Sequence, residues 1–118
     1  MDLKAAVIAF SQSEKIKAGL IWSSQTIEMH AGISEQDKTG ARQIIGALLS
    51  MVANEVQVAM RMAPDDRWEE ALKHLNKALV MIRSNIPQEA PFHISRALSQ
   101  VTSVGQASMS LLSEKKIL

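Results

Sequence analysis

The sequence predicts an all-α protein, a single antiparallel up-down-up-down four-helix bundle formed by residues 1–118. Apolar residues recur at the three- and four-residue spacing of helices along the whole chain. Glycine, proline and asparagine divide the chain into four such segments, and their short connections favour antiparallel neighbours. Hydrophobic residues make up 47% of the chain and charged residues 21%, which is too apolar for disorder and sufficient for one core.

The first helix is predicted over residues 2–31. Five consecutive polar residues at positions 11–15 weaken its apolar seam, so a kink or fraying is expected there. Gly32 is expected to end the helix in a left-handed conformation, which a residue without a Cβ adopts at no steric cost. The predicted core-facing residues of this helix are Leu3, Ala6, Phe10, Leu20 and Ile27.

The second helix is predicted to begin after Ser34, whose residue type is favoured at the N-cap. Glu35 and Asp37 lie in its first turn, where negative charge is stabilised by the helix dipole. The helix is expected to run to residue 63, because Pro64 has no N–H with which to continue it.

Asp65 or Asp66 is expected to cap the third helix, which ends before Pro87. Pro91 fits the first turn of the fourth helix, which is expected to end near Lys115. The predicted face of the third helix is Trp68, Leu72, Leu75, Leu79 and Ile82. The predicted seam of the fourth is Ile94, Leu98, Val101, Gly105, Ser108 and Leu112.

The second helix has more apolar residues than one seam can hide. Between residues 43 and 60 its only formal charge is Glu55, and residues 92–113 of the fourth helix similarly contain only Arg96. These additional apolar residues fit either a central helix that the others cover well or a helix with a second surface buried against a partner. The second alternative is supported because large exposed apolar patches usually mark interaction sites. The polar strip of the second helix is Gln43, Ala47, Ser50, Asn54, Gln57 and Arg61.

The second interpretation predicts a partner-binding surface on the second helix, with a contribution from the fourth. A homodimer is the simplest form, since two-fold dimers are the commonest oligomers, and a helical protein partner is the alternative. The residues expected to contact the partner are Leu49, Met51, Asn54, Glu55, Val56, Val58 and Met60.

Glu55 and Trp22 each allow two interpretations. Glu55 interrupts the apolar stripe Ile44, Leu48, Met51, Val58 and Met62. A buried carboxylate must be paired, so Glu55 either binds a Lys or Arg of a neighbouring helix or sets the register of an interface. Trp22 lies off the predicted seam and is either a core filler or an interface anchor.

Composition excludes several classes of function. The net charge is +1 with interspersed cations, so no basic face for nucleic acid is evident. The absence of Cys excludes disulfides and is compatible with a cytoplasmic location. The second helix is a poor membrane span because it contains Ser50, Asn54 and Glu55, so no membrane association is expected.

The chain shows no recognised catalytic, metal or cofactor motif. His30, His74 and His93 do not occur in the Glu-x-x-His spacing of di-iron bundles, so no metal is expected. No nucleophile elbow and no phosphate-binding loop occur, so neither an enzyme activity nor a cofactor is expected. Gly19, Gly46 and Gly105 are better explained as close helix crossings.

The run His74-Leu75-Asn76-Lys77-Ala78 carries a short resemblance. It resembles the phosphorylated segment of histidine phosphotransfer domains, which are four-helix bundles of similar length with a Lys three residues after the His. The family's Leu at +2 stands one position early here, and its Gly at +4 is replaced by Ala78. The sequence therefore predicts a non-enzymatic interaction or scaffold module, with phosphotransfer through His74 as the alternative.

Overall fold

A computed structural model describes residues 1–116 and shows an all-α bundle of four helices. The helices are α1 (Leu3–His30), α2 (Glu35–Met62), α3 (Asp66–Arg83) and α4 (Ala90–Glu114). One turn of 3₁₀ helix, Pro87–Glu89, precedes α4, and no strand occurs within residues 1–116. The predicted fold class and the four helical segments are confirmed.

Each helix packs against two others, so the four occupy the corners of an elongated bundle of 54 × 21 × 18 Å. Helix α1 lies against α2 and α4, and α3 lies against the same two. Contacts between α1 and α2 run in opposite senses: Gln12 meets Glu55, and the later Gly19 meets the earlier Val52. This pairing is the one expected of antiparallel neighbours.

Local side-chain chemistry explains where the helices begin. The Asp2 carboxylate accepts a hydrogen bond from the Ala5 N–H at 2.7 Å, and Asp65 accepts from the Arg67 N–H at 2.9 Å. Asp65, rather than Asp66, is therefore the cap of α3. Ser34 holds the N-cap position of α2, but its hydroxyl donates to the Asp37 carboxylate at 2.8 Å.

The predicted left-handed ending at Gly32 is wrong, because Gly32 has no positive φ and α1 ends through ordinary turns. Within residues 1–116 the left-handed residues are instead Asn85, with φ of 62°, immediately after α3, and Lys116, with φ of 60°, after α4. The N–H of Ile86 bonds to the Met81 carbonyl and that of Asn85 to Ile82, at 3.0 and 3.3 Å. These two bonds form a Schellman ending, in which Asn takes the place usually held by Gly.

Helix α1 is unbroken through residues 11–15, so the expected fraying does not occur there. Its core side carries small and polar residues that the hydrophobic pattern does not reveal. Ser13 and Ser23 are buried, and their hydroxyls donate to the carbonyls of Phe10 and Gly19 at 2.8 Å. Leu3, expected in the core, is exposed.

Two of the three predicted close crossings are confirmed. A Cβ at Gly19 would lie 2.8 Å from a Val52 methyl, and one at Gly105 would lie 2.7 Å from the Ser13 hydroxyl. These two glycines let α1 approach α2 and α4 closely. Gly46 was expected to do the same, but a Cβ there would meet nothing within 4 Å.

Candidate functional site

Two residues of the predicted partner surface belong to the core instead. Leu49 and Val56 are fully buried against the other helices of their own chain. They lie at the core-facing positions of α2 together with Ile45, Val52 and Ala59. In the folded chain neither side chain is available to a partner, which corrects the predicted site at these two positions.

The other five residues lie on different parts of α2. Met51 and Asn54 are exposed, whereas Glu55, Val58 and Met60 are half-buried. Met60 packs against the core, and Asn54 belongs to the polar strip. Met51, Glu55 and Val58 share one line along the helix, here called the α2 stripe, with the members Ile44, Leu48, Met51, Glu55, Val58 and Met62.

The α2 stripe remains open to solvent beside α1. Ile44, Met51 and Met62 are exposed, and Leu48 and Val58 are half-buried. The apolar surplus of α2 thus divides into a core seam and a second line of residues that its own chain leaves uncovered.

Trp22 of α1 flanks the α2 stripe and is not a core filler. Its side chain is 60% exposed, and Met51 across the groove is 64% exposed. Together with Gly19, Leu48 and Val52, these residues line a shallow groove of about 190 Å³ between α1 and α2. The absent side chain of Gly19 lets the two helices meet at the floor of this groove.

Glu55 forms a polar group in the middle of the stripe. Its Oε2 lies 3.1 Å from the Lys15 ammonium and accepts a hydrogen bond from the Gln12 amide at 3.0 Å. The bond from Gln12, followed by the contact with Lys15, lowers the pKa of the Glu55 carboxyl. The interpretation of Glu55 as the partner of a cation on a neighbouring helix is confirmed.

Helix α4 does not extend this surface. It packs against α1 and α3 and is diagonal to α2, and no residue of α4 lines the groove beside the α2 stripe. The exposed aromatic residue of α4, Phe92, lies beside its own neighbours: the Arg96 guanidinium is 4.8 Å from the ring centre, and His93 makes an edge contact at 5.3 Å.

The histidines stand apart from the groove. Burial lowers the pKa of His74, and the charge of Lys77 lowers it further. The Nδ1 atoms of His74 and His93 are buried without a hydrogen-bond partner in the described chain. Phosphotransfer through His74 stays a prediction, and incubation with a phosphorylated receiver domain tests it. Within residues 1–116, no group of three His, Asp or Glu could hold a metal ion.

Helix α2 is the one helix of residues 1–116 whose length and composition would allow it to cross a membrane. Its most apolar 18-residue window has a mean hydropathy of 1.3, and 39% of that window is buried inside the bundle. Core helices of soluble proteins have the same properties, so this finding alone places α2 in neither class. Comparison of the chain with models of protein families, with curated proteins and with solved structures gives no match.

Proposed function

We propose that the chain is a non-enzymatic interaction module that forms a two-fold homodimer through the α1–α2 face. This face comprises the α2 stripe with Lys15 and Trp22 of α1. One observation carries the proposal: a line of apolar side chains on α2, interrupted only by Glu55, lies partly or fully exposed beside a largely exposed tryptophan. Uncovered apolar lines of this kind are typical of protein–protein contacts, and exposed tryptophans often anchor them.

The pattern of the face favours a second copy as its occupant. The charged residues Lys15 and Glu55 lie near the middle of the stripe, and apolar residues lie on both sides. A two-fold axis through the middle brings the Ile44 end of one copy onto the Met62 end of the other. The same axis sets Lys15 of each copy near Glu55 of its partner, so the face complements itself in both charge and hydrophobicity.

The dimensions of the face predict a weak dimer. From Ile44 to Met62 the stripe is about 27 Å long, at 1.5 Å per residue. Two helices packed 8–10 Å apart present a face about 20 Å wide. A dimer would therefore bury on the order of 1,000 Å², near the lower limit for specific association. We expect a dissociation constant in the micromolar range, equivalent to about −8 kcal/mol.

Analytical ultracentrifugation of the full chain, over a concentration series spanning the micromolar range, tests the proposal. The wild type should pass from monomer to dimer. Met51→Glu should remain monomeric because its charge would be buried in the interface. Val80→Glu on α3 is the matched control, since Val80 is 55% exposed and lies on another helix. Circular dichroism should show that both variants keep their helices.

Tryptophan fluorescence gives a second, independent measurement. Trp68 is fully buried in the monomer, so its emission should not depend on protein concentration. Trp22 should become buried in the dimer, and its emission should shift to shorter wavelength as the protein is concentrated. A strictly monomeric wild type, or a Met51→Glu variant that dimerises as well as Val80→Glu, would refute the homodimer.

A further inference from the structure

A second feature lies at the end of the bundle where α1 meets α2. The end of α1, the first three turns of α2 and the α3–α4 connection enclose a cleft of about 550 Å³. This volume falls in the range of small-molecule sites. The lining residues that matter to its chemistry are His30, Glu35, Lys38, Arg42, Asn85 and Gln88, so the cleft holds one carboxylate beside three basic residues.

The cleft exists because basic residues occupy positions that would otherwise belong to the core. The buried seam of α2 passes through Ile45 and Leu49, and Arg42 and Lys38 continue it at spacings of three and four toward the helix start. His30 similarly continues the buried seam of α1 after Ile27. Three basic side chains therefore converge where apolar residues would have closed the bundle.

The basic groups of the cleft are only partly compensated. Lys38 forms an ion pair with Glu35 at 3.1 Å, but the Glu35 side chain is 90% exposed while that of Lys38 is only 23% exposed. Because the Glu35 carboxylate lies mostly in solvent, where ion pairs are weak, it compensates the charge of Lys38 only in part. Arg42 bonds to the Thr39 hydroxyl at 3.3 Å and has no carboxylate partner within residues 1–116.

His30 adds an unused hydrogen-bonding group. Only 5% of its surface is exposed, and its Nε2 atom has no hydrogen-bond partner among the described residues. Buried polar atoms without a partner are rare in native proteins and call for an explanation. Asn85, held in a left-handed turn, and Gln88 contribute amide groups to the same cleft.

We propose that this cleft binds a small organic anion that carries phosphate or carboxylate groups. The guanidinium of Arg42 suits the two oxygens of such a group, and the ammonium of Lys38 supplies a second positive charge. The imidazole of His30 and the amides of Asn85 and Gln88 supply further donors. The site is separate from the α1–α2 face, since Lys38 and Arg42 lie on the core side of α2.

Titration of the full chain with pyrophosphate and, separately, with citrate tests the site, using backbone amide NMR and calorimetry. At least one of the two anions should bind saturably and shift the backbone amide resonances of His30, Arg42 and Asn85. The pyrophosphate and citrate arms distinguish a phosphate ligand from a carboxylate ligand. No saturable shift with either probe overturns the proposal.

Variants locate the site independently of dimer formation. Arg42→Gln should weaken binding about tenfold or more, since it removes a charge-assisted contact. His30→Leu should also weaken binding while keeping the fold, because an apolar residue suits that buried position. Arg61→Gln, an exposed cation elsewhere on α2, is the matched control. Equal weakening by Arg61→Gln and Arg42→Gln would show unspecific screening and overturn the site, whereas Met51→Glu should leave binding unchanged.

Discussion

Replacing Gly19 by alanine should destabilise the protein, whereas the same change at Gly46 should stabilise it. Both glycines are buried in helix interiors, so sequence position alone does not separate them. A Cβ at Gly19 would lie 2.8 Å from the Val52 Cγ2 atom, which is closer than real Cβ contacts allow. A Cβ at Gly46 would meet no atom of another element within 4 Å.

The expected changes in the free energy of unfolding follow from two opposing effects. Alanine is favoured over glycine inside a helix by about 1 kcal/mol, and both variants gain this amount. Gly19→Ala also forces Val52 against its neighbours, and overpacking of this kind costs about 1–3 kcal/mol because a β-branched side chain has little rotamer freedom. The two variants should therefore differ by about 2 kcal/mol in the free energy of unfolding.

Urea unfolding followed by circular dichroism measures both changes. A third variant, Gly19→Ala with Val52→Ala, identifies the cause, because it removes the methyl group that the new Cβ would meet. Val52→Ala should cost less in the Gly19→Ala background than in the wild type, which a double-mutant cycle detects. If Gly19→Ala were as stable as Gly46→Ala, the close approach of α1 and α2 inferred here would be wrong.

Two further predictions concern α3 and the core of α2. Arg67 bonds to Asp65 and lowers the pKa of that carboxyl below its usual 3.8. The ionised form therefore stabilises the fold above pH 4, and this contribution is lost as the pH falls through the folded pKa. Asp65→Asn keeps an N-cap residue, so acid unfolding curves should show a weaker pH dependence. Val56→Glu should cost more than about 4 kcal/mol and abolish cooperative thermal unfolding, because the charge enters the core; a folded variant would contradict the burial of Val56.

The ends of the helices were predictable because they depend on neighbouring residues alone. Asp65 caps α3, Pro64 follows the end of α2, and Pro91 lies in the first turn of α4, as the residue types indicate. Gly32 shows the limit of this reasoning. Glycine can adopt a left-handed conformation at a helix end, but nothing in its residue type requires it to do so. Asn85, after α3, adopts that conformation although its residue type favours it less.

The core of α1 was harder to predict, because its close contacts depend on residues with little hydrophobicity. Ser13 lies under Gly105, and Gly19 lies against Val52. At such crossings small size matters more than apolar character, because two helices can approach closely only where at least one of the facing side chains is short. A search for apolar residues at helical spacing therefore chose the exposed Leu3 and overlooked the buried Ser13 and Ser23.

The division of α2 explains why its surplus was recognised while its site residues were partly misassigned. Two lines of apolar residues run along the helix, one through Leu49 and Val56 and the other through Met51 and Val58. Both lines have the spacing of a helix face, so periodicity does not tell which one faces the core. The two lines do differ in their charged residues. The core line begins with Lys38, whereas the outer line is interrupted by Glu55, which pairs with Lys15 of α1. A carboxylate that pairs with an exposed lysine of the neighbouring helix must lie near solvent, not at the centre of a four-helix core. Glu55 therefore assigns its line of residues to the surface of the bundle.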